Sequence, residues 1–242
     1  MSAPRVFVSQ SCSPSALIEL DRNDARHLAL VLRMKAGEHI TIVSQKMAWQ
    51  AQLTEIDGER AIASILVRAL QPSSELPVDV AVLQAVPKGA KMDAVIEKVV
   101  ELGATSIVPI RCTRSYGGDS PQKVDRWRRI ARAAAQQSQR LVVPDVEQAM
   151  SFNDAIARFS PTSQLIVAWE EAEKSSLAAA LQRKTARPIA IAIGPEGSFT
   201  SEELQRASAA GCDLASLGRT ILRTETAAAA MVAAIAALRG WW

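Results

Sequence analysis

The chain has 242 residues, 48% hydrophobic and 22% charged, with 28 Lys and Arg against 25 Asp and Glu, values typical of an ordinary globular protein with one large core or two modest ones. Two histidines and three distant cysteines, Cys12, Cys112 and Cys212, supply zinc sites, Ser-His-Asp triads and disulfide frameworks poorly, so reduced thiols and no metal are expected. The most apolar helical stretch, residues 225–238, is short and alanine-rich for a membrane span, and MSAPRVFVSQ lacks the order of a signal peptide, which predicts a cytoplasmic protein.

In chain order, RVFVS, HITIVS, WQAQLTEI and AIASILVRAL read as short strands separated by polar turns such as Asp57-Gly58. Between the first two, DARHLALVLRMKAGE reads as an amphipathic helix, with Asp24 near its start and Gly37 after its end. Residues 1–72 are therefore expected to form a β-rich domain with one helix, and QPSSELP, residues 71–77, to be the linker.

From residue 73 the rhythm changes. VDVAVLQAV, TSIVPI, SQLIVAWE, PIAIAIG and DLASLG read as strands, several apolar along their whole length. Alternating with them are the helices KMDAVIEKVVELG, QKVDRWRRIARAAAQQSQR, SLAAALQRK, SEELQRASAAG and the alanine-rich tail. Such alternation predicts an α/β domain over residues 73–242 with a mostly parallel sheet.

Charge is uneven along the chain. Residues 88–140 carry eleven Lys or Arg against five acids, whereas 141–242 carry nine against eleven. The long basic helix offers Lys123, Arg126, Arg128, Arg129, Arg132 and Arg140 as phosphate contacts, with Trp127, Ile130, Ala134 and Leu141 as its buried stripe; the alternative is a solvated face. Arg5, Arg22, Arg26 and Arg33 give the first domain a similar potential for gripping structured RNA. Trp49 reads as core; Trp241 and Trp242 suit either stacking or a subunit contact.

Two C-terminal segments stand out. IAIAIGPEGSFTSEEL is a buried strand stopped by a glycine-bracketed turn holding one carboxylate, followed by the helix start Thr200 or Ser201 with Glu202 and Glu203. Gly194 and Gly197 permit positive φ and close approach and Pro195 fixes one φ, while neither the dinucleotide fingerprint nor the P-loop spacing is present. In open α/β sheets ligands sit beyond the carboxyl ends of strands, where this turn and LGRTILRTETA both fall. In the latter, Thr224 is expected to cap the alanine-rich helix and Glu225 to favour its N-terminal dipole, which leaves Arg219 and Arg223 unexplained.

IGPEGSFTSEE followed by SLGRTILRTETAAAA resembles the signature of the SPOUT class of S-adenosylmethionine-dependent RNA methyltransferases. The nearest resemblance is to the bacterial ribosomal RNA small-subunit methyltransferase E family, which methylates N3 of a uridine in 16S ribosomal RNA. RHLALVLRMKAGE, KMDAVIEKVVELGATSIVPI, Arg114-Ser115 and DRWRRIARAAAQQSQRLVVP extend the resemblance over nearly the whole chain. Ser198 stands where a second glycine is usual, and Tyr116 where a small aliphatic is commoner.

The resemblance implies a PUA-like β-barrel at the N-terminus and a C-terminal domain tied in a trefoil knot, with knot and cofactor site at about residues 165–230. It also implies a homodimer. S-adenosylmethionine would be held by Ile193, Gly194, Pro195, Glu196 and Gly197 and by the backbone of Leu217, Gly218, Ile221 and Leu222. Methyl transfer to N3 needs a positioned nucleophile and the removal of one proton. Arg223, with Arg114 reaching from a partner subunit, is expected to stabilise negative charge on the uracil oxygens, and Glu225 or Glu196 to take the proton if burial raises its pKa.

Overall fold

The computed structural model describes residues 3–70, 73–116, 118–172, 175–182 and 187–241. The start of the expected linker, the end of SLAAALQRK and Trp242 lie outside the described residues. The chain forms two compact units, residues 1–75 with 135–143 and residues 76–134 with 144–242.

The first unit contains strands β1 (Arg5–Phe7), β2 (Leu17–Glu19), β3 (His39–Ser44), β4 (Met47–Ile56) and β5 (Ala61–Arg68) in a five-stranded sheet of order β1-β3-β4-β5-β2. All pairings are antiparallel except β1 with β3. Alternation along β4 and β5 sends Ala51, Leu53, Ala61, Ala63 and Ile65 into a core completed by Val6, Ile40, Ile42 and Trp49. β2 is three residues long and escaped the sequence pattern.

The expected long helix here is short. Asp21 caps helix α1 (Arg22–Arg26), and the next five residues form a π-helical turn in which the Leu32 amide donates to the His27 carbonyl at 3.0 Å. Arg33 then adopts a left-handed conformation (φ 55°), which ends the helix well before Gly37.

Two basic residues depart from expectation. Arg5 is buried and donates to the carbonyls of Gln139 and Arg140, so it is not available to a phosphate. Arg140 lies beyond the basic helix, buried, donating to the Glu75 carboxylate from Nε at 3.1 Å and also from its Nη2. The other Glu75 oxygen accepts from the amides of Leu141 (2.7 Å) and Val142 (3.2 Å). The end of the expected linker is thus packed structure, and the chain first passes from one unit to the other between Glu75 and Leu76.

The second unit is built on a seven-stranded parallel sheet. Its strands are β6 (Val80–Ala85), β7 (Ser106–Arg111), β8 (Asp145–Val146), β9 (Met150–Ser151), β10 (Gln164–Ala168), β11 (Ile189–Ile193) and β12 (Asp213–Ala215). The order is β12-β10-β11-β6-β7-β8, with β9 also on β7. Its helices are α2 (Lys91–Glu101), α3 (Pro121–Gln137), α4 (Phe152–Phe159), α5 (Leu177–Gln182), α6 (Ser201–Ala209) and α7 (Thr224–Leu238). Every residue of β11 is buried, as its aliphatic run requires of a central strand covered on both faces. Helix α3 buries Val124, Trp127, Ala131 and Ala134, while Ile130 is only partly covered.

Gly103 closes α2 with φ 101°, and a Cβ there would lie 2.6 Å from Leu76 Cγ. Gly103→Ala combines left-handed strain with overpacking against a buried leucine. It should destabilise the protein by about 2–4 kcal/mol in chemical denaturation; a change under about 0.5 kcal/mol would mean that Leu76 yields freely.

Candidate functional site

The site lies beyond the carboxyl ends of β10, β11 and β12. After β11, the amide of Ser198 donates to the Pro195 carbonyl at 2.9 Å, closing a tight turn. The left-handed residue of that turn is Ser198 (φ 59°), not either glycine. Gly194 and Gly197 serve close approach: a Cβ on Gly194 would meet the Phe199 ring at 3.1 Å, and one on Gly197 would meet Arg114 Cδ at 3.3 Å. Phe199 in turn stacks on Phe152, with centroids 4.6 Å apart.

Thr200 caps α6 in a reciprocal box with Glu203, the pattern expected of its sequence. Buried Glu203 also accepts from the amide (2.8 Å) and hydroxyl (3.1 Å) of Thr113, which fixes the loop carrying Arg114. Burial, with Glu203 nearby, pushes the neighbouring Cys112 thiol up to about 12, so it is an inert packing group.

Thr224 does not cap α7. The cap position belongs to Arg223, whose side chain makes no capping bond, and Thr224 is the first helical residue. Its buried hydroxyl donates to the Gly194 carbonyl at 2.7 Å and accepts from Gln84 Nε2 at 2.9 Å. Gln84, fully buried on β6, also donates to the Ala85 carbonyl. A buried hydroxyl so paired joins the two C-terminal motifs, which the sequence pattern left as separate segments.

The motifs enclose a cavity of about 350 Å³. Ile193, Gly194, Pro195, Glu196, Leu217, Gly218, Ile221 and Leu222 all line it, as do Arg223 and Glu225. Gly197, Arg114 and Arg219 do not. Arg114 lies behind the turn, its Nη1 donating to the Gly197 carbonyl of its own chain at 2.7 Å. Ala168, Trp169, Glu170 and Lys91 complete much of the wall. Sequence reasoning missed these four; Trp169-Glu170 was findable from its place just after a buried strand, whereas Lys91 reads as an ordinary helix-start lysine.

Lys91 sits between two carboxylates, 3.3 Å from Glu196 Oε1 and 3.7 Å from Glu225 Oε2. For Glu196, burial alone would raise the pKa, yet hydrogen bonds from its own amide and the Lys88 amide, together with Lys91, hold the carboxyl below its ordinary value. The raised pKa required of a proton acceptor is therefore absent at Glu196. Glu225 Oε2 is buried with no hydrogen-bond partner. Among the described residues, the exposed Arg223 guanidinium has no hydrogen-bond or ion-pair partner.

These surroundings suit S-adenosylmethionine. Glu170, Glu196 and Glu225 outnumber Lys91 and Arg223 by one, a net negative lining that would favour a sulfonium cation. Glu225 Oε2, ion-paired with Lys91 at 3.7 Å, has no hydrogen-bond donor and can accept one from a ligand. Leu222, Trp169 and Ile221, the last 85% exposed, offer apolar surface to a flat heterocycle.

Of the basic candidates outside the cavity, Arg26 and Arg33 are exposed, and Arg22 is exposed but paired with Glu59. On α3, Lys123 and Arg129 are exposed, the former donating to the Gly118 carbonyl, and Arg126 pairs with Asp93.

Residues 74–236 match the family model described as RNA methyltransferase domain, and residues 20–66 match the RNA methyltransferase PUA domain. The chain is 30% identical to the ribosomal RNA small subunit methyltransferase E of Synechocystis sp., over 98% of this chain and 78% of that protein. With its Bacillus subtilis counterpart the identity is 29%, over 91% and 90%. A crystal structure of the Neisseria gonorrhoeae ribosomal RNA small subunit methyltransferase E bound to S-adenosyl methionine superposes with a TM-score of 0.91, at 32% identity over 98% of both chains. A putative methyltransferase from Legionella pneumophila, in complex with the same cofactor, gives 0.89 at 26% identity over 98% of each. The chain belongs to the ribosomal RNA small subunit methyltransferase E family.

Proposed function

We propose that this protein transfers the methyl group of S-adenosylmethionine to N3 of a uridine in 16S ribosomal RNA. The observation that carries this reading is the cavity between two joined motifs, where the Arg223 cation, without a partner among the described residues, stands beside a carboxylate-rich wall. When bound, S-adenosylmethionine supplies a methyl carbon activated by the adjoining sulfonium. The turn at 194–196 and the backbone of Leu217, Gly218, Ile221 and Leu222 hold the cofactor, and Thr224 keeps the two walls at a fixed spacing. Arg223 donates to the uracil carbonyl oxygens and so favours the N3 anion. Glu225 is the remaining candidate for the N3 proton, with Lys91 orienting its carboxylate. Arg114 supports the cofactor turn from behind and presents its exposed guanidinium to a partner subunit's substrate.

The same reading includes SPOUT topology with a trefoil knot over about 165–230 and a PUA-like barrel that grips RNA through Arg22, Arg26 and Arg33. Lys123, Arg126 and Arg129 add phosphate contacts. The reading also includes a cytoplasmic location and a homodimer; the homodimer is supported by α7, whose Ala229, Ala230, Ala233 and Ala234 are only partly covered and whose Leu238 is exposed. Among the described residues no helix is long and apolar enough to cross a membrane.

Small ribosomal subunits from a strain lacking this activity, incubated with the protein and labelled S-adenosylmethionine and then digested to nucleosides, should yield 3-methyluridine. A ribose 2′-O-methylated nucleoside as product would overturn the assignment of the acceptor atom.

A further inference from the structure

Tyr116, the only tyrosine of the chain, is 69% exposed on the loop after β7. A single surface aromatic is unremarkable in itself. What distinguishes this one is how firmly an unpacked ring is tied to the cavity wall. Its loop is pinned by the Ser115 amide on the Cys112 carbonyl (3.0 Å), by Thr113 on buried Glu203, and by Arg114 on the Gly197 carbonyl. From the other side, Lys88 Nζ lies 4.0 Å from the ring centroid, while the Lys88 amide donates to Glu196 Oε1 at 3.1 Å. Both tethers end on the turn that walls the cavity. The loop leading to the ring is therefore anchored on the turn that walls the cavity, and the ring, with Lys88 on one side, is exposed rather than packed.

Lys88, Arg114 and Lys123 surround the loop, and the acids close by are engaged: Asp119 accepts from Arg111 Nη1 at 2.7 Å, Glu196 is paired with Lys91, and Glu203 accepts from Thr113 and Thr200. A held aromatic face inside a cationic rim is the arrangement that recognises an unpaired nucleotide, the base stacking on the ring and the phosphates meeting the cations.

We propose that Tyr116 is a stacking platform for a base of the RNA substrate, held against the cofactor wall by Lys88 and Arg114. The inference rests on the RNA methyltransferase reading above.

The test compares Tyr116→Ala, Tyr116→Leu, Tyr116→Phe and Tyr116→Trp, using small subunits as substrate. Loss of one base stack should raise KM for subunits by about 5- to 100-fold in the alanine and leucine variants. kcat and the cofactor dissociation constant should stay within about twofold of the parent, and Phe or Trp should restore KM, because stacking needs the ring and not the hydroxyl. Filter binding of subunits without turnover should weaken in parallel, which decides the inference even were the parent protein to transfer no methyl group. Subunit affinity unchanged in Tyr116→Leu would overturn it, as would a loss that tracks a changed sedimentation coefficient, which would make Tyr116 a subunit contact.

Discussion

Replacing Arg223 by alanine should lower kcat for methyl transfer by about 10²- to 10³-fold, the usual cost of removing one donor aimed at developing negative charge. The structure places this exposed side chain on the cavity wall, and among the described residues it has no hydrogen-bond or ion-pair partner. Affinity for S-adenosylmethionine should stay within about threefold if, as proposed, the backbone of Leu217, Gly218, Ile221 and Leu222 and the 194–196 turn carry that binding. Arg223→Lys should recover part of the rate, since a point charge remains but the planar fork is lost. Equal losses of rate and cofactor affinity would instead assign Arg223 to holding the cofactor.

A large effect on stability is expected in the first unit. Glu75→Gln leaves the Arg140 guanidinium, 2% exposed, facing an amide where its carboxylate was. Breaking a buried pair by removing one partner costs about 3–5 kcal/mol; because Glu75 keeps some solvent contact, at 19% exposure, the lower figure applies. For a chain of this length about 3 kcal/mol corresponds to a melting temperature lower by on the order of 10 °C. The two amides on Glu75 Oε1 can still be satisfied by the glutamine oxygen, whereas the amide nitrogen in place of Oε2 cannot accept from Arg140 Nε and Nη2, so the loss combines the charge with those two hydrogen bonds. A shift below about 2 °C would show that water reaches Arg140 and replaces the carboxylate.

Much of this architecture was legible because its signals are local. A run such as Ile189–Ile193, apolar at every position, has no stable place except a covered central strand, and Thr200 with Glu203 is a helix start wherever it occurs. Long-range pairing was not legible. Thr224 read as a cap because threonine before an alanine-rich helix usually is one, yet Gln84, 140 residues away, claims its hydroxyl. Arg5 and Arg140 counted as surface charge because nothing in the sequence announces that the Gln139 and Arg140 carbonyls and Glu75 will bury them. The early stop of the first helix turns on the left-handed Arg33, which no propensity favours. At the site itself the glycine-bracketed turn was conspicuous, but its left-handed residue is Ser198, and the glycines are there to admit Phe199 and Arg114.

The measurement that bears most directly on the central claim is a crystal structure of this chain with S-adenosylhomocysteine, the product left after methyl transfer. The account predicts the ligand in the cavity walled by residues 193–196 and 217–225, its adenine against the backbone of Leu217 to Leu222 and its sulfur on the side of Arg223. A ligand bound elsewhere, or in this cavity with its sulfur turned away from Arg223, would contradict it.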